Sequence, residues 1–311
     1  LTLTLTFNPA QRQLTGSVLI EEIDASAQVN GWFSPWHRRQ HPAPQRAGYH
    51  TLALLLRAQH RGDLTVPQGS GFASFQIGTN GAVRVKGRLS DGSPLNLAPK
   101  LGANGEMGWY AMLYGKKEPG SLLGRIDQSL GENLISPTDN DLAGSLSWSK
   151  PDRGTRGGPL YPHGFTEVLL NAVGGAFQRT PYQLGMTDAF AWMELAFSGA
   201  ALETSATPLN TVPVNMLFVN QFFVGPHPAG VSLIGSPSTG SLNGAFTLRD
   251  PHWRDPAPAS WPRQTRFTGL IVRYPDGIHR GHGYFLLPQL PQGNPKQQPP
   301  LILSGEVLLE P

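Results

Sequence analysis

The chain has 311 residues, a formal charge of +3, 37 glycines, 29 prolines and no cysteine. Without cysteine, disulfide scaffolds, zinc–cysteine centres, iron–sulfur clusters and thiol catalysis are excluded. Its 24 basic and 21 acidic residues are dispersed, which argues against a nucleic-acid partner, since those proteins concentrate positive charge.

The length predicts two domains or one large β domain. High glycine and proline, with only 14% charged residues, suit many short strands joined by tight turns. No apolar run has the length of a membrane helix, so no transmembrane segment is expected. The chain opens at Leu1 and not at Met. The expectation is therefore the mature or ordered part of a longer product, with any targeting segment removed.

In chain order, residues 1–7 alternate strictly, with Leu1, Leu3, Leu5 and Phe7 on one face and Thr2, Thr4 and Thr6 on the other. A period of two predicts a strand with one apolar face. A free strand of this kind needs its backbone groups paired. It either closes its own barrel or serves as an assembly strand, added to a sheet edge of the next subunit near residues 301–309. Strands are predicted over 14–22, 27–33 and 49–58, and residues 34–47 form a loop. In 74–92, two alternating runs flank Asn80-Gly81, a strong hairpin signal. Phe75, Ile77, Val83 and Val85 are assigned to the core, and Arg84, Lys86 and Arg88 to solvent. Further strands are expected over 108–114, 121–126, 142–149, 167–173 and 214–224, with strand preferred over helix at 187–197. Gly174-Gly175 opens a predicted linker. The domains are placed at 1–178 and 179–311.

Three stretches share a pattern. Residues 7–18 align with 235–246 without a gap, and the hairpin is the third copy, with Gly16, Gly87 and Gly244 in equivalent places. The third copy carries an insertion at 252–263. We read one glycine-punctuated meander unit used three times, giving an all-β chain of two antiparallel meander β-barrel or sandwich domains.

Chemistry is sparse. No nucleophile elbow, phosphate loop, dinucleotide fingerprint or paired metalloprotease histidines occur, so neither catalytic residues nor cofactors are assigned. His279 and His282 sit three apart, which on a strand sends them to opposite faces. Asp139, Asn140 and Asp141 offer oxygens suited to calcium but lack the spacing of a calcium loop; the alternative is a polar turn. Trp32, Trp36, Arg38 and Arg39 in the first copy, and Trp253, Arg254 and Trp261 in the insertion, have the composition of partner or ligand contacts. The alternative is that each Trp plugs a barrel end.

The runs FNPAQRQLTGSV, SFQIGTNGAVRVKGRLSDG, LAGSLSWSKP, LYPHGF, FTGLIV and above all GYFLLPQLP at 283–291 resemble a repeat module of giant secreted or cell-surface β proteins of environmental Gram-negative bacteria. In those proteins such modules follow Ig-like, Calx-β or propeller repeats. The resemblance implies a location outside the cell and no catalytic residues. The expected function is an extracellular structural or assembly module, a subunit of a surface layer or filament. Its partners would be itself, other surface proteins or a polysaccharide. The alternative is a carbohydrate-binding or adhesive module, with a polysaccharide-acting enzyme third.

Overall fold

The computed structural model describes residues 1–131, 140–178, 191–217, 221–251, 260–290 and 300–311. It is all-β and antiparallel, in three sheets. The first is small: β1 (Thr2–Asn8), β2 (Gln13–Ile20) and β3 (Ala25–Trp32), in that order.

The second sheet holds eight strands: β4 (Gly48–Leu56), β5 (Gly71–Ile77), β6 (Val83–Arg88), β7 (Pro94–Leu97), β8 (Glu106–Leu113), β9 (Gly120–Ser129), β10 (Asp141–Lys150) and β11 (Phe165–Ala176). Their order is β7-β6-β5-β4-β11-β10-β9-β8. The third sheet also holds eight: β12 (Ala191–Gly199), β13 (Thr211–Leu217), β14 (Gln221–Val224), β15 (Ser232–Gly235), β16 (Ser241–Pro251), β17 (Ser260–Arg273), β18 (His279–Pro288) and β19 (Ile302–Glu310). It runs β14-β13-β12-β19-β18-β17-β16-β15. In each large sheet the first strand pairs with the last, so a meander curls back on itself and leaves one seam without a ladder. One sheet is nearly closed and the other a half-barrel.

Alternation dictates the interiors. Phe75 faces Val85 and Ile77 faces Val83 across the hairpin, and all four are buried while Arg84, Lys86 and Arg88 are exposed. Trp109, Trp148, Leu52 and Ile126 complete that core. The third sheet closes around Phe197, Phe246, Phe267 and Phe285, whose rings meet edge to face at 5.2–6.2 Å. Each such side chain contributes about 1.5–3 kcal/mol by leaving water. These side chains form the second hydrophobic core.

Three expectations change. The three sequence copies are not three equal units. The first stands apart as β1–β3, the second supplies the second and third strands of its sheet, and the third supplies the fourth and fifth strands of its own. Hairpin chemistry is local and does not fix where a hairpin sits in a barrel. Gly174-Gly175 is no linker: Gly174 lies in β11 opposite Leu52, where a Cβ would stand 2.1 Å from the Thr51 carbonyl oxygen. The strand expected over 214–224 is a hairpin, since Val214 pairs with Val224.

The two large sheets are fastened together. Ser70 N–H donates to the Gly283 carbonyl at 3.1 Å and Ile302 N–H to the Pro159 carbonyl at 2.9 Å, and the Tyr49 hydroxyl of β4 donates to the Thr239 carbonyl at 2.9 Å. Arg273 pairs with Asp141 at 2.8 Å. Phe72 stacks on Tyr284 at 6.2 Å.

Candidate assembly surface

Both large sheets carry an apolar core, which moves the search for function to the outside. On the small sheet, the register places Leu3, Val18 and Ala27 in one row, Leu5, Gly16 and Val29 in the next, and Phe7, Leu14 and Gly31 in a third. Directly paired residues share a face, so one face is apolar throughout. The other carries Thr4 with Ser17 and Gln28, and Thr6 with Thr15 and Asn30. No residue from 1 to 42 is buried. Leu1, Leu3, Leu5 and Phe7 are 79, 54, 45 and 56% exposed.

β1 pairs with β2 in cis, so it closes no barrel. Its second edge has no ladder among the described residues. The acceptor expected near residues 301–309 is closed, because β19 is already paired on both sides, with β12 and β18.

The sheet is tethered at one end. Phe33 N–H donates to the Arg12 carbonyl at 2.9 Å, and Ala103 N–H to Phe33 at 3.2 Å. Trp32 lies against Gly102 and Gly108, with the Arg125 guanidinium 5.5 Å from its ring centre. Trp36 is half-buried against the first core and donates from Nε1 to the Gly102 carbonyl at 2.9 Å. It stacks on His41 at 5.4 Å. Trp36 is thus a plug at a barrel end. Arg38 and Arg39 follow it in an exposed turn. Sequence order therefore gathers Trp32, Trp36, Arg38 and Arg39 at the sheet's base.

Trp253 and Arg254 lie outside the described residues. Trp261 is placed only by its backbone, opposite Asp250, where β16 and β17 extend their hairpin. Asp139 also lies outside. Asn140 donates to the Gln45 carbonyl at 2.6 Å and accepts from Gly131 N–H at 3.4 Å, while Asp141 holds Arg273. Of the residues proposed for calcium, Asn140 and Asp141 are thus engaged in fastening the fold. His279 packs on Phe177 and His282 bonds the Tyr274 hydroxyl at 2.8 Å. Burial lowers both histidines to about 4. Among the described residues no three His, Asp or Glu side chains converge on a metal position.

One constellation escaped the sequence reading. Buried Asp91 accepts from the Tyr114 hydroxyl at 2.7 Å and lies 3.5 Å from Lys150 Nζ. Trp148 donates to the Tyr114 oxygen at 3.0 Å. Lys150 sits 5.0 Å from the Tyr114 ring centre and 5.9 Å from that of Tyr161. Desolvation lowers the Lys150 ammonium and raises both phenols. The signal available was Trp148 and Lys150, two apart on β10 and so on one face. Beside this group, Tyr114, Lys116, Lys117, Glu118, Asp152, Arg153 and Arg156 line an open cleft of about 560 Å³.

Fold and surface define an all-β protein of two fused meander sheets with a lateral three-stranded sheet held by its base. The chain matches no protein-family model, no curated protein and no solved structure.

Proposed function

We propose that the chain is an extracellular structural module that assembles through its N-terminal sheet, a member of the class of repeat modules its sequence resembles. The observation that carries this reading is the exposed row Leu3, Leu5 and Phe7 beside an unpaired β1 edge. Soluble proteins blunt such edges with charge, proline or cover. β1 carries no charged residue and no proline. Interiors built of apolar side chains suit a structural part better than a carrier. Removal of residues 1–33 tests the reading. No core side chain is lost, so the thermal transition should persist while self-association or attachment to the cell surface disappears. A truncated chain that still assembles or attaches overturns it.

A second reading rests on the cleft beside Tyr114. Four basic and two acidic side chains line it, a composition fitted to an acidic polysaccharide, with Tyr114 at its wall. Retention on an immobilised alginate column, lost in the triple variant Lys116→Ala, Lys117→Ala and Arg156→Ala, would support it. Equal passage of both proteins would dismiss it.

A further inference from the structure

We propose that the partner covering the N-terminal sheet is a second copy of the same sheet, stacked face to face and antiparallel across a two-fold axis. This rests on the assembly reading above and specifies its occupant. A three-stranded face of seven-residue strands measures about 23 by 14 Å, roughly 300 Å², from strand rise and spacing. A contiguous apolar patch of this size is commonly functional. Two such faces pack about 10 Å apart.

Charge selects the copy and the orientation. The far tip of the sheet, the 3₁₀ turn between β2 and β3, carries Glu21, Glu22 and Asp24, all exposed. The base carries Arg12, Arg38 and Arg39, also exposed. Tip and base lie about 26 Å apart, eight residues of strand. At physiological salt the screening length is about 8 Å, so the two ends do not neutralise each other within one chain. A surface acidic at one end and basic at the other is complementary to itself when reversed. A two-fold axis across the strands sets each acidic tip on the partner's arginine base, twice per dimer. Leu5 then faces its own copy, and Leu3 faces Phe7. The contact is deepest along β1 and thins toward Ala25, Ala27 and Gly31 of β3, which share that face.

Sterics agree. The second sheet hangs from the base, through Phe33, Trp32 and Trp36, and the third sheet is fastened to the second. Antiparallel stacking sends the two sets of barrels to opposite ends. Parallel stacking would crowd them at one end and set acid on acid.

Sedimentation of the full chain at tens of micromolar and low salt should show a dimer of about 67 kDa, twice the 33.6 kDa chain. Its affinity should fall about tenfold on moving to half-molar salt. Leu5→Glu should abolish it. Two charge variants decide the orientation. One carries Arg12→Glu, Arg38→Glu and Arg39→Glu; the other carries Glu21→Lys, Glu22→Lys and Asp24→Lys. Each alone should be monomeric with an unchanged thermal midpoint, and an equimolar mixture should recover a heterodimer. A wild-type chain monomeric at a hundred micromolar overturns the proposal. So does a dimer indifferent to both swaps, which would indicate edge pairing along β1. If the full chain is monomeric yet loses surface attachment on removal of residues 1–33, the second-copy partner fails while the assembly reading stands.

Discussion

The indole of Trp36 occupies the space above Gly81, where a Cβ would stand 2.6 Å from its Cδ1. Gly81 has φ of +70°, so the Asn80-Gly81 turn needs glycine twice over, for its left-handed backbone and for the ring upon it. Trp36 is therefore part of the barrel end and not a free contact. Trp36→Ala should cost about 2 kcal/mol, below the 3–5 kcal/mol of a fully buried aromatic. Gly81→Ala should cost at least as much. Both are checked by urea unfolding. A Trp36→Ala protein of unchanged midpoint would return Trp36 to the surface.

Val85 has 2% exposure in the first core, opposite Phe75. Val85→Asp should cost on the order of 3 kcal/mol or more, because a carboxylate in that interior has no partner. Lys86→Asp, one residue on and exposed, should shift the midpoint little. The contrast between neighbours tests the face assignment.

The hairpin around Asn80-Gly81 was legible because its strand period, its turn residues and its burial all agree. The face of β1 was legible from its strand period alone, since none of its residues is buried. Its partner was not, because period two fixes which residues share a face and not what that face meets. Assignment of Gly16, Gly87 and Gly244 to equal units failed because glycine marks close backbone approach wherever it occurs. Gly16 lies in a lateral sheet and Gly87 in a barrel wall, and in both a Cβ would meet a neighbouring carbonyl oxygen, that of Thr4 or Phe72. The Asp91–Tyr114–Lys150 group joins residues from three distant stretches, and nothing local in the sequence brings them together.

Acid should loosen the fold through two buried histidines. His50 stacks on Phe75 at 5.4 Å, with Nδ1 at 3.2 Å from the Gly48 carbonyl and Nε2 at 3.0 Å from Gln128 Nε2. Burial lowers it to about 4. His282 is lowered to about 4 by burial and by Arg280. The ordinary value is 6.5, so between pH 6.5 and 4 the unfolded chain binds more protons than the folded one. Their stabilising contribution is complete above pH 6.5 and is lost as pH falls through that window, by up to about 1.4 kcal/mol per pH unit for each histidine. Urea midpoints at pH 7 and pH 4.5 measure the slope. His50→Gln with His282→Gln should be less stable at pH 7 and show a flatter slope. An unchanged slope would assign the acid loss to other groups.

The last prediction concerns Arg263 and Asp250, paired within the second large sheet at 2% and 0% side-chain exposure. Arg263 donates from Nε to Asp250 Oδ2 at 2.8 Å and from Nη1 to the Pro288 carbonyl at 2.9 Å. Asp250 Oδ1 accepts from the Ser205 hydroxyl at 2.8 Å and from Ala206 N–H at 2.9 Å. The pair thus ties β16, β17, the end of β18 and the loop after β12 at one point. Removing one member strands the other charge, which costs about 3–5 kcal/mol, whereas removing both charges is often nearly neutral. Arg263→Met alone should fall in that range. Asp250→Asn keeps an acceptor for Ser205 and Ala206. Combined with Arg263→Met it should recover more than half of the single loss. A double-mutant cycle by urea unfolding reads the coupling directly, and additive losses would mean that the two side chains act separately.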